Sequence, residues 1–360
     1  MNTSSSIKDF NKFKKRSLVT LLTIFPKNKR NIGSIIHKQI YDECIKKIKL
    51  QKLTKLVIAK GFSFKTFHDN NFISTKVESQ VKSLLEFSFQ NFQYLLSGHE
   101  NGQIKVWEYT KTNSMKSLNL TLIFQANTGN VKLTKLRYLN EDVIISAGNE
   151  EIIKGWSPKN FNKSIFILNG HLDKITSLST IKFIDEILLV SGSADNHILV
   201  WNLSNLDKPV FKLSSHTESV SALISFQSEK METYLVSGSW DNTIQIWNLE
   251  GSTFSPSKPM KKLLGHKDSI SSLLMIKLKY NNYLCSGSWD YSILIWDLIH
   301  YSKVFTLKHN NSIYCMSSLL FNGEYLLVTA GFSGSIFSGV LKILINRSIL
   351  LQIFQLIFTL

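Results

Sequence analysis

One phrase constrains this chain more than anything else in it: a few small residues, a tight turn, an alternating strand and a tryptophan, stated five times. It runs from Leu96-Ser-Gly to Trp107, from Ile145-Ser-Ala-Gly to Trp156, and from Val190-Ser-Gly-Ser to Trp201. The two closest copies run from Val236-Ser-Gly-Ser-Trp-Asp to Trp247 and from Cys285-Ser-Gly-Ser-Trp-Asp to Trp296. Successive tryptophans stand 49, 45, 46 and 49 residues apart, and a sixth, degenerate copy follows at Thr329-Ala-Gly-Phe332-Ser333. A fixed period slightly above forty residues, with room for four short strands, predicts an all-β chain folded as a β-propeller. Such a period describes a repeated binding scaffold rather than a catalytic centre.

The rest of each unit is also patterned. An outer strand comes first, as in Ser164-Ile-Phe-Ile-Leu168, Pro209-Val-Phe-Lys-Leu213 and Lys303-Val-Phe-Thr-Leu307. A loop with Gly-His or a lone His follows, then an inner strand such as Ile270-Ser-Ser-Leu-Leu274. Apolar residues at every second position set one face of each unit against its neighbour. With 360 residues and 43% hydrophobic content, the chain can bury a large core by stacking such units side by side.

On these motifs the chain resembles the WD-repeat family across residues 72–341. Six repeats are recognisable, where most members have seven. The resemblance implies either a six-bladed ring closed by an N-terminal outer strand near 72–76, or a seventh blade that is missing or unrecognised. It also implies that the loop His, strand Ser, turn Asp and strand Trp form a hydrogen-bonded chain within a blade. The full set occurs as His171, Ser191, Asp195, Trp201; as His216, Ser237, Asp241, Trp247; and as His266, Ser286, Asp290, Trp296. Ser, His and Asp together suggest a hydrolase, but threefold repetition argues against one, since an active site is made once. The chain is expected to be no enzyme and to need no cofactor or metal. The first copy departs from the set with Asn101 in the turn and no loop His. The second has Glu150 and no loop His. The last keeps His309 and Thr329 but has Ser333 for the Asp and Gly339 for the Trp.

In the family, the residue before the turn Asp and those just after the loop His face the side that binds partners. Before the turn stand Glu100, Asn149, Ala194, Trp240, Trp289 and Phe332; two residues beyond each His stand Asp173, Glu218, Asp268 and Asn311. The resemblance thus implies a partner-binding face of Trp240, Trp289 and Phe332 beside Asp173, Glu218 and Asp268. Aromatic rings beside carboxylates suit an Arg- or Lys-rich segment of a protein partner.

Charge divides the chain. Residues 1–80 hold 17 Lys and Arg against 5 Asp and Glu, a net +12 of the whole-chain +16, leaving +4 on residues 81–360. A basic arm on a near-neutral domain suits nucleic acid or an acidic protein. Lys15, Arg16, Lys27, Lys29 and Arg30 have the spacing of a two-part nuclear import signal, though Leu18 to Phe25 between them is apolar. The domain expectations are a basic extension over 1–71, helical over 33–59; repeats over 72–345; and an apolar tail over 346–360. Residues 341–345 read as one more outer strand, and the tail as a docked helix or the stub of a seventh blade. The apolar run after Arg347 is shorter than the ~20 residues of a membrane span, so a membrane partner is not expected. Cys44, Cys285 and Cys315 show no paired or metal-ligand spacing, and no secretory signal is recognisable, so an intracellular, chiefly cytoplasmic protein is expected. The functional expectation is a scaffold organising a multiprotein complex. The alternatives are a ribonucleoprotein-associated protein using its basic arm, or a ubiquitin-ligase substrate-recognition subunit, for which no F-box connector is recognisable.

Overall fold

The computed structural model describes residues 64–68, 71–75, 79–343 with short breaks between strands, 351–352 and 355–358. No helix occurs among the described residues. Five four-stranded antiparallel sheets follow one another along the chain, over residues 81–125, 132–169, 175–213, 220–263 and 270–308; a sixth begins at Ile313. Within sheets 1 to 5 the strands pair in chain order, and the first strand of each sheet packs on the first strand of the next, from sheet 1 through sheet 6. This succession fits a β-propeller, with first strands innermost and fourth strands outermost.

Stacking explains the burial pattern. A strand sends alternate side chains to opposite faces, and here both faces of a middle strand meet a neighbouring sheet. The second strand of sheet 4, Thr233–Ser239, and the third of sheet 3, Ile198–Trp201, are accordingly buried along their whole length. The outer strand Phe166–Asn169 alternates buried and exposed, because only one of its faces is covered. One cluster joins Ile181, Val190, Val200 and Leu213 of sheet 3 to Val220, Leu235 and Trp247 of sheet 4. The next joins Val236, Ile246 and Leu263 of sheet 4 to Leu284, Leu294 and Trp296 of sheet 5. Trp247 and Trp296 thus each close the interface with the preceding sheet.

Two local devices lock one sheet to the next. The glycine of Ser-Gly-Ser lies against the β-branched residue that opens the following sheet: a Cβ on Gly238 would sit 2.6 Å from Ile270 Cγ2, and one on Gly287 2.6 Å from Ile313 Cγ2. A bulge follows the first residue of the inner strand in sheets 3, 4 and 5, and there Thr176, Ser221 and Ser271 donate both to their own sheet and to the next. Their hydroxyls reach Gly192 O at 2.9 Å, Gly238 O at 3.1 Å and Gly287 O at 3.1 Å, and also the carbonyls of Val220, Ile270 and Ile313.

The ends differ from the sequence expectation. Asn71–Thr75 pairs with Phe64–His68 in a separate hairpin, so the 71/72 boundary cuts a strand and residues 72–75, of the closing strand expected over 72–76, do not complete the last sheet. Residues 341–343 belong to the third strand of sheet 6, Ile336–Ile343, and are not an outer strand of their own. The outer place is filled from the tail: Leu351–Gln352 and Gln355–Phe358 both pair on Ile336–Ile343, where a helix or blade stub was expected. Apolar runs this short carry no decisive period, and an unpaired third strand in sheet 6 offers them a ladder of hydrogen bonds. The helix expected over 33–59, the basic residues Lys15, Arg16, Lys27, Lys29 and Arg30, and Cys44 lie outside the described residues, as does Phe332.

Candidate functional site: a buried network beneath an aromatic rim

The second and third strands of each sheet form a hairpin that sets a serine opposite the strand beginning at a turn. From that serine to the tryptophan is ten residues, and Trp107, Trp156, Trp201, Trp247 and Trp296 each donate Nε1–H to Ser97, Ser146, Ser191, Ser237 and Ser286 at 2.8–3.1 Å. In sheets 3 to 5 the serine also meets the loop histidine: Ser191 Oγ lies 2.8 Å from His171 Nε2, Ser237 Oγ 2.8 Å from His216 Nε2, and Ser286 Oγ 2.7 Å from His266 Nε2. The other ring nitrogen faces the turn carboxylate, with Nδ1–Oδ2 distances of 2.8 Å to Asp195, 2.7 Å to Asp241 and 2.9 Å to Asp290.

The direction of this chain follows from valence. An ionised carboxylate only accepts, so Nδ1–H donates to it; Nε2 of a neutral ring then accepts the serine O–H, and the serine oxygen accepts the indole N–H. The carboxylate also takes the backbone N–H of Leu172, Thr217 or Lys267 at 2.9–3.1 Å, and of His197, Thr243 or Ser292 at 2.9 Å. Burial pushes the Asp195 carboxyl up, but the hydrogen bonds and charge of His171 and the backbone N–H donors outweigh it and hold it at about 2. Against the same effect of burial, Asp241 is depressed in the same way through His216, and Asp290 first by the Ser292 hydroxyl and then by the Lys267 N–H and His266. Burial is the larger influence on His266 and lowers it, keeping the ring neutral.

The atypical sheets keep parts of this chain with other residues. Sheet 1 lacks a loop histidine, but His99, two residues after Ser97 in the strand itself, puts Nε2 2.9 Å from Ser97 Oγ and Nδ1 3.2 Å from Ser79 O. The loop histidine is absent from this unit as expected, but a strand histidine missed in the sequence takes its place: Ser97-Gly-His stands where sheets 3 to 5 have Ser-Gly-Ser, and that third residue was the visible signal. Asn101 keeps the turn half of the aspartate's role, its Oδ1 accepting the Gln103 N–H at 3.2 Å. In sheet 2, Asn127 stands in the loop two residues after the preceding outer strand, as His171 does in sheet 3, and donates Nδ2–H to Glu150 Oε2 at 3.4 Å, without an Oδ1 partner among the described residues; Glu150 pairs with Lys154 at 2.9 Å. In sheet 6, His309 Nε2 lies 3.2 Å from Thr329 Oγ1, and Gly339 pairs opposite Leu327, the register place of the tryptophan elsewhere.

The same turns build the rim. Ser193, Ser239 and Ser288 donate to the carbonyls of Asp173, Glu218 and Asp268 at 2.8–2.9 Å. The next N–H, that of Ala194, Trp240 or Trp289, donates to Lys174, Ser219 or Ser269 O at 2.9–3.0 Å. Each acidic loop residue is therefore fastened beside the residue before the turn, with Asp173, Glu218 and Asp268 exposed. Between sheets, the Trp240 and Trp289 rings lie 5.6 Å apart, and Trp289 lies 6.1 Å from Tyr314. Trp240 is 39% and Tyr314 37% exposed, whereas Trp289 is half-buried between them. Asp173 stands on sheet 3, where the pre-turn residue is Ala194, so it has no aromatic of its own. Tyr314 was not singled out from the sequence; it occupies the bulge position where sheets 3 to 5 carry Thr176, Ser221 and Ser271, and aligning that position would have found it. On the inner strand of sheet 2, Lys132 is lowered by burial and by the like charge of Lys82 on the inner strand of sheet 1.

Three segments, residues 162–202, 207–248 and 257–297, match the family model described as WD domain, G-beta repeat. No curated protein matches the chain. Each matched segment holds the outer strand of one sheet and three strands of the next, as 162–202 holds Phe166–Asn169 of sheet 2 and 175–201 of sheet 3. Repeat and sheet are thus out of phase by one strand, which interlocks neighbouring sheets. WD40 repeats suggest a protein-interaction scaffold in general, and their domains generally bind protein partners. These three repeats, each with its histidine–serine–aspartate–tryptophan chain intact, are consistent with a WD-repeat protein family.

Proposed function

We propose that the six sheets close into one propeller that acts as a non-enzymatic scaffold, holding an Arg- or Lys-bearing segment of a protein partner against the rim of sheets 4 to 6. The observation that carries this reading is the row Trp240–Trp289–Tyr314, with ring centres 5.6 and 6.1 Å apart, beside the exposed carboxylates of Glu218 and Asp268. Neither carboxylate has an ion-pair partner among the described residues. A guanidinium or ammonium group stacks on such rings and meets such carboxylates at once.

Burial supports the absence of catalysis. Ser191, Ser237 and Ser286 are fully buried, and each accepts a tryptophan N–H, so no substrate carbonyl reaches them. Burial raises the Cys285 thiol to about 12 and the Cys315 thiol to about 11, which leaves neither a nucleophile near neutral pH. The intracellular, chiefly cytoplasmic setting belongs to the same proposal. Its test is affinity capture with the full chain and with Trp289→Ala. The variant is expected to lose the partners of the wild type, a loss of about 2 kcal/mol or more in binding. A folded Trp289→Ala protein that captures the same set would refute the reading.

A further inference from the structure

We propose that Tyr291 is part of this binding surface, and that the fold tolerates a strained backbone there in order to present its ring to the partner. The inference rests on the rim reading above and adds to it a residue that neither the repeat motif nor the network requires.

The position is the residue after the turn aspartate. Sheets 1, 3 and 4 fill it with Gly102 at φ +89°, Asn196 at φ 70° and Asn242 at φ 66°; sheet 5 fills it with Tyr291 at φ 65°. Glycine has no Cβ to clash in the left-handed region, and asparagine is among the side chains that tolerate it, whereas a bulky aromatic is an outlier there. Asn196 brings a second benefit, since its Nδ2 donates to Thr217 O of the next sheet at 3.0 Å. Tyr291 keeps only a backbone link, its carbonyl accepting His309 N–H at 2.7 Å. Its side chain is 54% exposed and makes no hydrogen bond or ring contact among the described residues. On grounds of folding alone, asparagine would serve better.

Strain by itself does not mark a site. Leu139 has φ 48° at the far end of sheet 2, and Tyr301 has φ 52° but packs on the core between sheets 4 and 5, with Lys261 Nζ 6.0 Å from its ring centre. Tyr291 differs from both in its location. It lies two residues from Trp289 in the turn of sheet 5, the sheet that carries the middle ring of the only run of rim aromatics among the described residues. A strained, exposed ring with no intramolecular partner, placed in an aromatic and acidic patch, is accounted for by an external one. The occupant is a peptide segment bearing Arg or Lys. Glu218 and Asp268 supply two exposed carboxylates, without ion-pair partners among the described residues, on the loops of sheets 4 and 5; the nearby lysines are Lys267 on the same loops and Lys308, paired opposite Ser292. Tyr291 extends the aromatic surface outward and adds a hydroxyl that can accept a guanidinium N–H.

The test uses the full chain and random twelve-residue peptides displayed on phage. Selected peptides are expected to be enriched in Arg or Lys, and their synthetic forms are titrated against wild type, Trp289→Ala, Tyr291→Asn and Tyr291→Phe. Tyr291→Asn is expected to weaken binding about tenfold while raising the melting temperature by about 2 °C, because the strain is relieved. Tyr291→Phe, which keeps the ring, is expected to stay within about threefold of wild type. Tyr291→Asn binding within about twofold of wild type, or melting no higher than it, overturns this inference even where Trp289→Ala abolishes binding. Selection that yields no Arg- or Lys-enriched peptide, or peptides indifferent to Trp289→Ala, overturns the rim reading itself.

Discussion

Gln245 should be a stability defect that one substitution removes. It sits in the third strand of sheet 4, opposite Ser237, fully buried, and neither its amide nitrogen nor its amide oxygen has a hydrogen-bond partner. The same register place, opposite the network serine, holds Leu199 in sheet 3 and Leu294 in sheet 5, both buried in intersheet clusters. An unsatisfied buried polar group costs about 1–3 kcal/mol, and leucine removes two of them while adding apolar contact. Glutamine and leucine are close in volume, so repacking takes back about 1 kcal/mol. The net expectation for Gln245→Leu is about 2 kcal/mol of added stability, or a melting temperature higher by about 4 °C at roughly 2 °C per kcal/mol for a domain of this size.

Thermal unfolding followed by calorimetry, with urea titration alongside, checks this. The urea midpoint should rise with the slope unchanged, since the surface exposed on unfolding is nearly the same. Gln245→Ala separates the two contributions: it removes the orphaned amide but opens a cavity, and should gain less than leucine or lose stability. A Gln245→Leu protein that melts at or below wild type would refute the reasoning, because the amide would then have to be satisfied in the native protein.

The other expectations concern the network. Asp195 is held at about 2, below its usual 3.8, so its contribution is present above about pH 4 and is lost as pH falls toward 2; Asp195→Asn should cost on the order of 2 kcal/mol at pH 7 and flatten the acid limb of a stability–pH curve. An unchanged acid limb would show that the His171–Asp195 bond is not formed. Burial lowers His99 below its usual value, so the folded state resists its protonation and stability should fall as pH drops below about 6.5; His99→Gln should weaken that slope and, by disturbing Ser97, lower stability by about 1–3 kcal/mol. Gly287→Ala should cost about 1–3 kcal/mol by forcing a Cβ against Ile313 between sheets 5 and 6, and a neutral result would mean the two sheets are further apart.

What could be read in the sequence was whatever a single hairpin fixes. The ten-residue step from serine to tryptophan recurs because both lie on paired strands joined by one turn, so Ser191 and Trp201 meet wherever the chain spells that phrase. The longer step from His171 to Asp195 is also local, running within one sheet's loop, first two strands and turn. Contacts that depend on how sheets stack left weaker traces. Trp289 meets Tyr314 across two sheets, and Tyr314 reads in sequence as an ordinary strand residue until the bulge places it on the rim. The outer place of sheet 6 is taken by residues that carry none of the repeat's markers, so their apolar run could be read equally as helix or strand.

Two departures from the repeat pattern, Gln245 and Tyr291, show why local rules can fail in opposite directions. Both positions are filled in neighbouring units by residues better suited to the fold, leucine in one case and asparagine or glycine in the other. At Gln245 the unsuited group is sealed from any partner, so it can affect only stability, and replacing it with the neighbours' residue should be a gain without loss. At Tyr291 the unsuited group stands in solvent on the rim, so the same replacement should gain stability and lose recognition. Exposure decides between the two outcomes, because only an exposed side chain can recover in a complex what it costs the free protein. Measuring melting temperature and peptide affinity together on Gln245→Leu and Tyr291→Asn therefore tests one argument at two sites: stability should rise in both, and affinity should fall in the second alone.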